Sequence, residues 1–326
     1  MSAAGATLVV GGGGLVGSNV LRALARRRRV VVRAQVPWAE PDAARVALRA
    51  AAVEALAAAG GGPLDVAWCA GAGTVATTQD DLDREVAQFG AFLTDLEAEV
   101  PAGTDLAFFL ASSAGGLYAG SSAPPFDERT EPRPLAPYGW AKIRMEEELL
   151  AAVQRLDAPA LLGRLANVYG PGQNLAKAQG VVSRLCVAHL ARSPLPVTVS
   201  LDTIRDYLFV SDAAEMIVTG LDGLRARRAD TGERVVVKVM ASGRSTTLST
   251  MIAESNRVFH RRAPVSIVSS GSPGQVRDLR LRSVVWPELQ SCARTTLAAG
   301  FERTAEAVAE DVVRRGPLVA TTAGAR

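Results

Sequence analysis

Short apolar runs alternate with amphipathic stretches over the first half of the chain. Residues 6–10, Ala-Thr-Leu-Val-Val, are a continuous apolar run and read as a buried strand. Similar runs recur at 30–32, 64–69, 106–111 and 160–165. Between them lie stretches with helical periodicity. In 15–27, Leu15, Val16, Val20, Leu21 and Leu24 share one face; in 80–98, Leu82, Val86, Phe89, Phe92, Leu93 and Leu96 do the same. Residues 42–59 are rich in Ala, Leu, Val, Arg and Glu, strong helix formers, and end at Gly60-Gly61-Gly62-Pro63. A further helix opens at Tyr138 and continues to about Leu156. Strand–helix alternation of this kind predicts a parallel sheet covered by helices on both faces.

Beyond residue 175 the alternation loosens. The pattern predicts a helix over 180–192, a strand at 195–199, a strand over 205–210 and a helix over 213–224 with Asp212 as N-cap. A strand at 235–240 and a helix from Thr246 to about 259, capped by Thr246 or Thr247, follow. Residues 264–278 are turn-rich, and 301–315 form a last amphipathic helix. The expected division is a first unit, 1–175, with elements near 200–240 returning to it, and a smaller mixed α/β lobe over 176–326. No repeat or coiled-coil heptad is present.

Composition narrows the function classes. The chain has 326 residues, enough for a substantial core, and 48% of them are apolar. A net charge of +3 gives no reason to expect nucleic acid. The run Arg26–Arg29 reads as a solvated helix end. Three cysteines (Cys69, Cys186, Cys292) are too few and too scattered for a disulfide framework, and two histidines (His189, His260) give no zinc-site signal. No signal peptide and no uncharged run approaching about 18 residues is visible, so a soluble, cytoplasmic protein without membrane partners is expected.

The chemistry concentrates at the C-terminal ends of the strands. Gly11, Gly14 and Gly17 follow the first strand in GxxGxxG spacing, one variant of the dinucleotide-binding turn. Glycines let the chain turn without Cβ atoms, and the helix start at Leu15 and Val16 would aim free N–H groups at a pyrophosphate. A bare turn is the competing reading. The second strand ends in Arg33, where an Asp or Glu would bind the adenosine ribose, so Arg33 favours NADP over NAD, unless it is an ordinary surface arginine. Ala70, Gly71 and Gly73 follow the third strand and allow another close backbone approach. Ser112 and Ser113 follow the fourth, where active-site groups sit in an open parallel sheet. Tyr138 and Lys142 lie on one face of their helix by i,i+4 spacing. Asn167-Val-Tyr-Gly-Pro-Gly and Arg205-Asp206-Tyr207 complete the series.

In this order and at these separations, the motifs resemble the extended short-chain dehydrogenase/reductases, in their NAD(P)-dependent epimerase/dehydratase branch acting on nucleotide sugars. The resemblance covers most of the chain and is strongest over 6–215. It implies a Rossmann-type doubly wound parallel sheet as the dinucleotide-binding domain and a C-terminal substrate lobe. It implies Tyr138 as catalytic acid/base and Lys142 as its partner on the nicotinamide ribose. A free phenol titrates near about 10, and a neighbouring ammonium favours the phenolate. Ser113 is the expected hydroxyl donor to substrate, with Ser112 as the second choice. Asn167 and Arg205 are expected near the substrate diphosphate, which a guanidinium suits well. Arg277 and Arg282 are weaker matches. The implied partner is a nucleotide-diphosphate sugar, the cofactor NADP or NAD, with no metal. A homodimer paired through the helices at 80–98 and 138–156 is expected.

Departures from the family pattern also carry information. A strand that usually follows the second helix is absent from the pattern, so the adenine end of the site should differ. The usual His-Leu-Ala-Ala segment is Cys69-Ala70-Gly71-Ala72. The Asp-Glu pair of the 4,6-dehydratases is replaced by glycines and an apolar residue after Ser113, which argues against dehydration. Two reactions at sugar C4 remain: reduction of a 4-keto sugar, favoured by Arg33, and 4-epimerisation with tightly held NAD. A non-catalytic cofactor-binding protein is the third reading, opposed by the retained Tyr138 and Lys142.

Overall fold

A computed structural model describes residues 5–71, 73, 77–176, 180–268 and 276–315. In the first half the elements are β1 (Ala6–Val10), α1 (Leu15–Arg26), β2 (Val30–Arg33), α2 (Pro41–Ala59), β3 (Leu64–Trp68), α3 (Gln79–Glu99), β4 (Leu106–Ser113), α4 (Ala114–Leu117), α5 (Pro137–Arg155) and β5 (Ala160–Leu165). There follow β6 (Asn167–Tyr169), α6 (Val181–Ala191), β7 (Leu195–Val197), β8 (Ile204–Arg205), β9 (Tyr207–Phe209), α7 (Val210–Thr231) and β10 (Val235–Met240). The last are β11 (Thr246–Thr247), α8 (Leu248–Phe259), β12 (Val265–Ile267), β13 (Asp278–Leu279), α9 (Pro287–Gln290) and α10 (Leu297–Arg315).

Six strands pair in parallel in the order β10-β5-β4-β3-β1-β2. This is the expected Rossmann-type sheet, with both faces buried. One face packs α2, α3 and α5 around Trp68, Phe89, Phe92 and Phe108. The other packs α1 and α7 around Val9, Phe109, Met216 and Ile217. A separate apolar cluster joins α6, α8 and α10 through Leu185, Met251 and Phe301. Because all six strands are parallel, their C-termini lie along one edge of the sheet, where the motif residues collect.

Local chemistry explains the boundaries. Helix α2 starts on Pro41 and stops at Gly60, which is left-handed at φ +55°. Thr78 caps α3 by accepting the Asp81 N–H, and Thr247 caps α8 by accepting the Thr250 N–H. The absent strand is real among the described residues: β2 is the edge of the sheet, and α2 leads directly into β3.

Four expectations need correction. The strand anticipated over 205–210 is broken at Asp206, whose carboxylate accepts the Ser242 N–H (2.7 Å) and hydroxyl (3.0 Å). Asp212 does not cap its helix. That helix begins at Val210, and the Asp212 carboxylate instead accepts the Thr295 N–H at 2.7 Å and its hydroxyl at 2.8 Å. The segment 264–278 contains a short strand, β12, paired in parallel with β7; its residues 269–275, like Ala72, lie outside the described residues. The final helix starts four residues earlier than the pattern indicates, at Leu297 rather than 301.

Candidate active site

The glycine loop leaves no room for a side chain at Gly11 or Gly17. Gly11 has φ +85°, and a Cβ there would lie 2.5 Å from the Ala70 nitrogen. A Cβ on Gly17 would lie 2.3 Å from the Gly11 carbonyl oxygen. The loop is closed by Gly14 N–H donating to Gly11 O at 2.9 Å. Gly14 then stands at the N-cap of α1 with no side chain covering the first helical N–H groups of Leu15 and Val16. A cavity of about 360 Å³ opens over the loop, lined by Gly11, Gly12, Gly13, Arg33, Gln35 and Trp38. The Arg33 side chain lies along the glycines: a Cβ on Gly12 would come within 3.2 Å of its Nε. Trp38 is 42% exposed and rests edge-on against Trp68, ring centroids 6.2 Å apart.

A second cavity of about 570 Å³ is lined by Gly73, Ser113, Tyr138, Asn167, Arg184 and Arg205, among others. The serine at 113 and the tyrosine at 138 thus face one space. Ser113 Oγ accepts the Gly116 N–H at 3.1 Å, which leaves its own hydrogen available to a substrate oxygen. The Tyr138 ring lies against Gly116, where a Cβ would be 3.0 Å from Cε1. Gly116 and Gly139 also touch backbone to backbone, so α4 and α5 approach as closely as glycines permit. Ser112 belongs elsewhere: it is buried and donates to Glu146 Oε1 at 2.5 Å. Strand alternation sends the two hydroxyls to opposite faces, and Ser113 is the one in the cavity.

Lys142 sits one helical turn after Tyr138 and is 4% exposed. Its Nζ donates to Glu85 Oε1 at 2.8 Å and stands 5.8 Å from the Tyr138 ring centroid. Burial alone would lower its pKa, but the Tyr138 oxygen and the Glu85 and Glu146 carboxylates outweigh that and hold it above the ordinary lysine value. Gly71, at φ +154°, and Gly73 let the loop after β3 pass beside this pair.

The predicted substrate residues divide. Asn167, at the start of β6, and Arg205 line the larger cavity. The Arg205 terminal nitrogens already donate to the Ile204 and Val276 carbonyls, each at 2.7 Å, and burial lowers its pKa. Arg277 does not line the cavity: it is exposed and ion-paired with Asp202. Arg282 is also exposed. The sequence reading missed Glu85 and Arg184. Arg184 is the one lysine or arginine in the otherwise apolar α6, a signal that was available. Glu85 lies on a helix rich in acids, and nothing local marks it.

Residues 7–237 match the NAD dependent epimerase/dehydratase family. The chain belongs to that family. Its match to the UDP-glucose 4-epimerase of Azospirillum brasilense is 30% identical over 251 residues, covering 67% of this chain and 68% of the relative. The dTDP-4-dehydro-6-deoxyglucose reductase of Escherichia coli is 29% identical over 111 residues, 34% of this chain. The dTDP-L-rhamnose 4-epimerase of Burkholderia thailandensis is 35% identical over 95 residues, 29% of this chain. The chain spans 35% and 26% of the length of these last two curated relatives. Among solved structures, the UDP-glucose 4-epimerase of Thermotoga maritima superposes with a TM-score of 0.77 at 20% identity, covering 94% of this chain and 99% of that one. The Thermus thermophilus UDP-glucose 4-epimerase in complex with NAD gives 0.72 at 20% identity, covering 93% and 99%. These likenesses carry the Rossmann-type fold over nearly the whole chain. No helix among the described residues is long and apolar enough to cross a membrane.

Proposed function

We propose that the protein is a nucleotide-sugar oxidoreductase acting at C4, and specifically a ketoreductase that uses NADPH. The observation that carries the oxidoreductase reading is the cavity shared by Ser113 and Tyr138, with the Lys142 ammonium behind the tyrosine. The observation that favours reduction is Arg33, laid along the glycine loop with no acid in the cavity beside it. A guanidinium there suits a 2′-phosphate, whereas an acid would repel one.

The residues fit a bound dinucleotide. Cβ atoms at Gly11 and Gly17 would strike the backbone of Ala70 and Gly11, so only glycines let the loop turn this tightly under the cavity, and α1 presents its N–H groups and positive dipole end to a pyrophosphate. When bound, the nicotinamide supplies the hydride. The chain does the rest. Lys142 holds the nicotinamide ribose and Tyr138 together. Ser113 donates its hydroxyl hydrogen to the substrate carbonyl oxygen, and Tyr138 delivers a proton to that oxygen as the alkoxide forms. Asn167, Arg184 and Arg205 line the side of the cavity that takes the diphosphate. In this assignment residues 1–175 form the dinucleotide-binding unit and 176–326 mainly the substrate lobe.

The second reading is a 4-epimerase. It is favoured by the longest of the three curated matches, a UDP-glucose 4-epimerase. Incubation with NADPH and a nucleotide 4-keto sugar separates the two. Stoichiometric NADPH oxidation with formation of the alcohol supports reduction; interconversion of two nucleotide hexoses without NADPH loss overturns it. Tyr138→Phe lowers kcat by about 10²–10⁴ in either case, the usual worth of a positioned acid/base.

A further inference from the structure

The Lys142 ammonium is not left to face Tyr138 alone. Glu85, from the second turn of α3, reaches it with Oε1 at 2.8 Å, in a pair whose side chains are only 5% (Lys142) and 17% (Glu85) exposed. The second Glu85 oxygen accepts the Gly73 N–H at 3.3 Å. One carboxylate therefore joins three parts of the site: α5 through Lys142, α3 through its own backbone, and the loop after β3. That loop leaves no space for anything else. A Cβ on Gly71 would stand 3.0 Å from Lys142 Nζ and 3.1 Å from Glu85 Oε1. A Cβ on Gly73 would stand 3.3 Å from the Tyr138 ring and 3.4 Å from Glu85 Oε2.

The surrounding charges make Glu85 the acid that matters here. From α5, Glu146 also faces the ammonium, but its oxygens are taken by Ser112 from β4 and by the Arg164 guanidinium from β5. Arg164 in turn holds the Tyr118 hydroxyl at 2.9 Å. Ser113 on β4 is neutral, and the loop at 71–73 brings no charge. The Glu146 and Arg164 charges offset one another, and Arg184 and Arg205 line the same cavity as Tyr138, so the carboxylate bonded directly to the Lys142 ammonium beside the tyrosine is Glu85.

We propose that Glu85 is a positioning residue matched to carbonyl reduction: it fixes the Lys142 ammonium and offsets its charge, so that Tyr138 enters the reaction holding the proton it must give. A lone ammonium would favour the phenolate, the form needed to take a proton from a sugar hydroxyl. An ammonium already paired with a carboxylate exerts less of that pull. The direction of this effect rests on the ketoreductase reading; the Glu85–Lys142 link itself does not.

Glu85→Gln tests it, because the amide keeps the shape and an acceptor for Lys142 while removing the charge. The first readout needs no activity: an ultraviolet difference titration of the phenols in protein without added cofactor, each variant measured against the same protein carrying Tyr138→Phe. The Tyr138 transition is expected to move to lower pH by about one unit in Glu85→Gln, the usual effect of one nearby charge. The second readout is the pH profile of carbonyl reduction. The limb that requires the protonated acid moves down with the phenol, so kcat on its alkaline side falls about tenfold, while KM for the nucleotide sugar stays within about twofold. A Glu85→Gln protein with wild-type unfolding midpoint and an unmoved phenol titration overturns the role of Glu85, whatever the reaction. A moved titration in a protein that interconverts hexoses without consuming NADPH upholds the Glu85 charge effect and overturns the reductive reading.

Discussion

Beneath Tyr138 and Lys142 lies a buried ionic network, and removing one member of it should be costly in a way that removing two is not. Glu146 follows Lys142 by one turn on α5. Its carboxylate takes Arg164 in a two-pronged pair, Nη2–Oε2 at 2.7 Å and Nε–Oε1 at 3.1 Å, and also accepts from Ser112. The side chains are 10% (Arg164) and 7% (Glu146) exposed. Burial would lower the Arg164 pKa, but its bonds to Glu146 outweigh that and raise it above the ordinary arginine value. Glu146→Ala leaves a buried guanidinium with Tyr118 as its one remaining side-chain acceptor among the described residues. Breaking a buried pair from one side costs about 3–5 kcal/mol, a large share of the roughly 5–15 kcal/mol that holds a domain folded. The double variant Glu146→Met, Arg164→Met buries no charge. It strands the Ser112 and Tyr118 hydroxyls, each worth about 1 kcal/mol, and otherwise replaces ions by apolar groups of similar length. Its cost should therefore fall well below that of the single variant. Urea unfolding of wild type, Glu146→Ala and the double variant, extrapolated to water, measures both. A single variant within about 1 kcal/mol of wild type would show that water reaches the pair and that the burial argument fails. A double variant less stable than Glu146→Ala would show that the ion pair itself, rather than its mispairing, stabilises the fold.

Gly17→Ala puts a Cβ 2.3 Å from the Gly11 oxygen, backbone against backbone; it should cost about 1–3 kcal/mol of stability and abolish stabilisation by added dinucleotide in a thermal-shift assay, and wild-type cofactor affinity would refute the cradle. Arg33→Glu should weaken NADPH binding about tenfold or more, the value of a charge-assisted contact of about 1.5–3 kcal/mol, and leave NADH binding equal or tighter; equal losses for both cofactors would remove Arg33 from 2′-phosphate recognition. Lys238 carries a pH prediction. It is fully buried on β10, donates to the Val285 carbonyl at 2.7 Å, and burial pulls its pKa down from 10.5 to about 8, against the partial offset of Glu128 and Glu288. Below pH 8 both folded and unfolded chains are protonated there and the burial penalty is complete; between about 8 and 10.5 the unfolded chain holds more protons, so stability rises with pH. The unfolding free energy of wild type relative to Lys238→Met should therefore climb across that window, and a flat difference would refute it.

How far the sequence could be read depended on the range of the interaction that decides each feature. The glycine loop, β1, the Tyr138–Lys142 face and the Thr247 cap are set by neighbours a few residues apart, and all are visible in the one-dimensional pattern. The same holds for the short route from α2 to β3, where unbroken helix formers leave no room for a further strand. Asp212 shows where local reasoning fails: a capping residue in a capping position is drawn off by Thr295, 83 positions away. Asp206 likewise breaks a plausible strand because Ser242, 36 positions on, competes for it. Arg277 has the charge for a phosphate site but is held at the surface by Asp202.

Glu85 is the sharpest case, because its partner stands 57 residues away and its own helix is full of acids. On α3 alone it is indistinguishable from Asp81 or Asp83, which are exposed and pair with arginines. What separates it is the direction of its helix face toward α5 and the glycines at 71 and 73 that let the loop close over it. Those glycines were legible as a close approach of backbone to something. Part of that something is protein: a lysine and a glutamate, hydrogen-bonded at 2.8 Å, that stand against the loop beside the Tyr138 ring. A substitution at Gly71 or Gly73 should therefore disturb acid–base behaviour as well as cofactor binding, because a Gly71 Cβ would press on Lys142 Nζ and the Glu85 carboxylate, and a Gly73 Cβ on Leu82 and the Tyr138 ring, before any ligand enters.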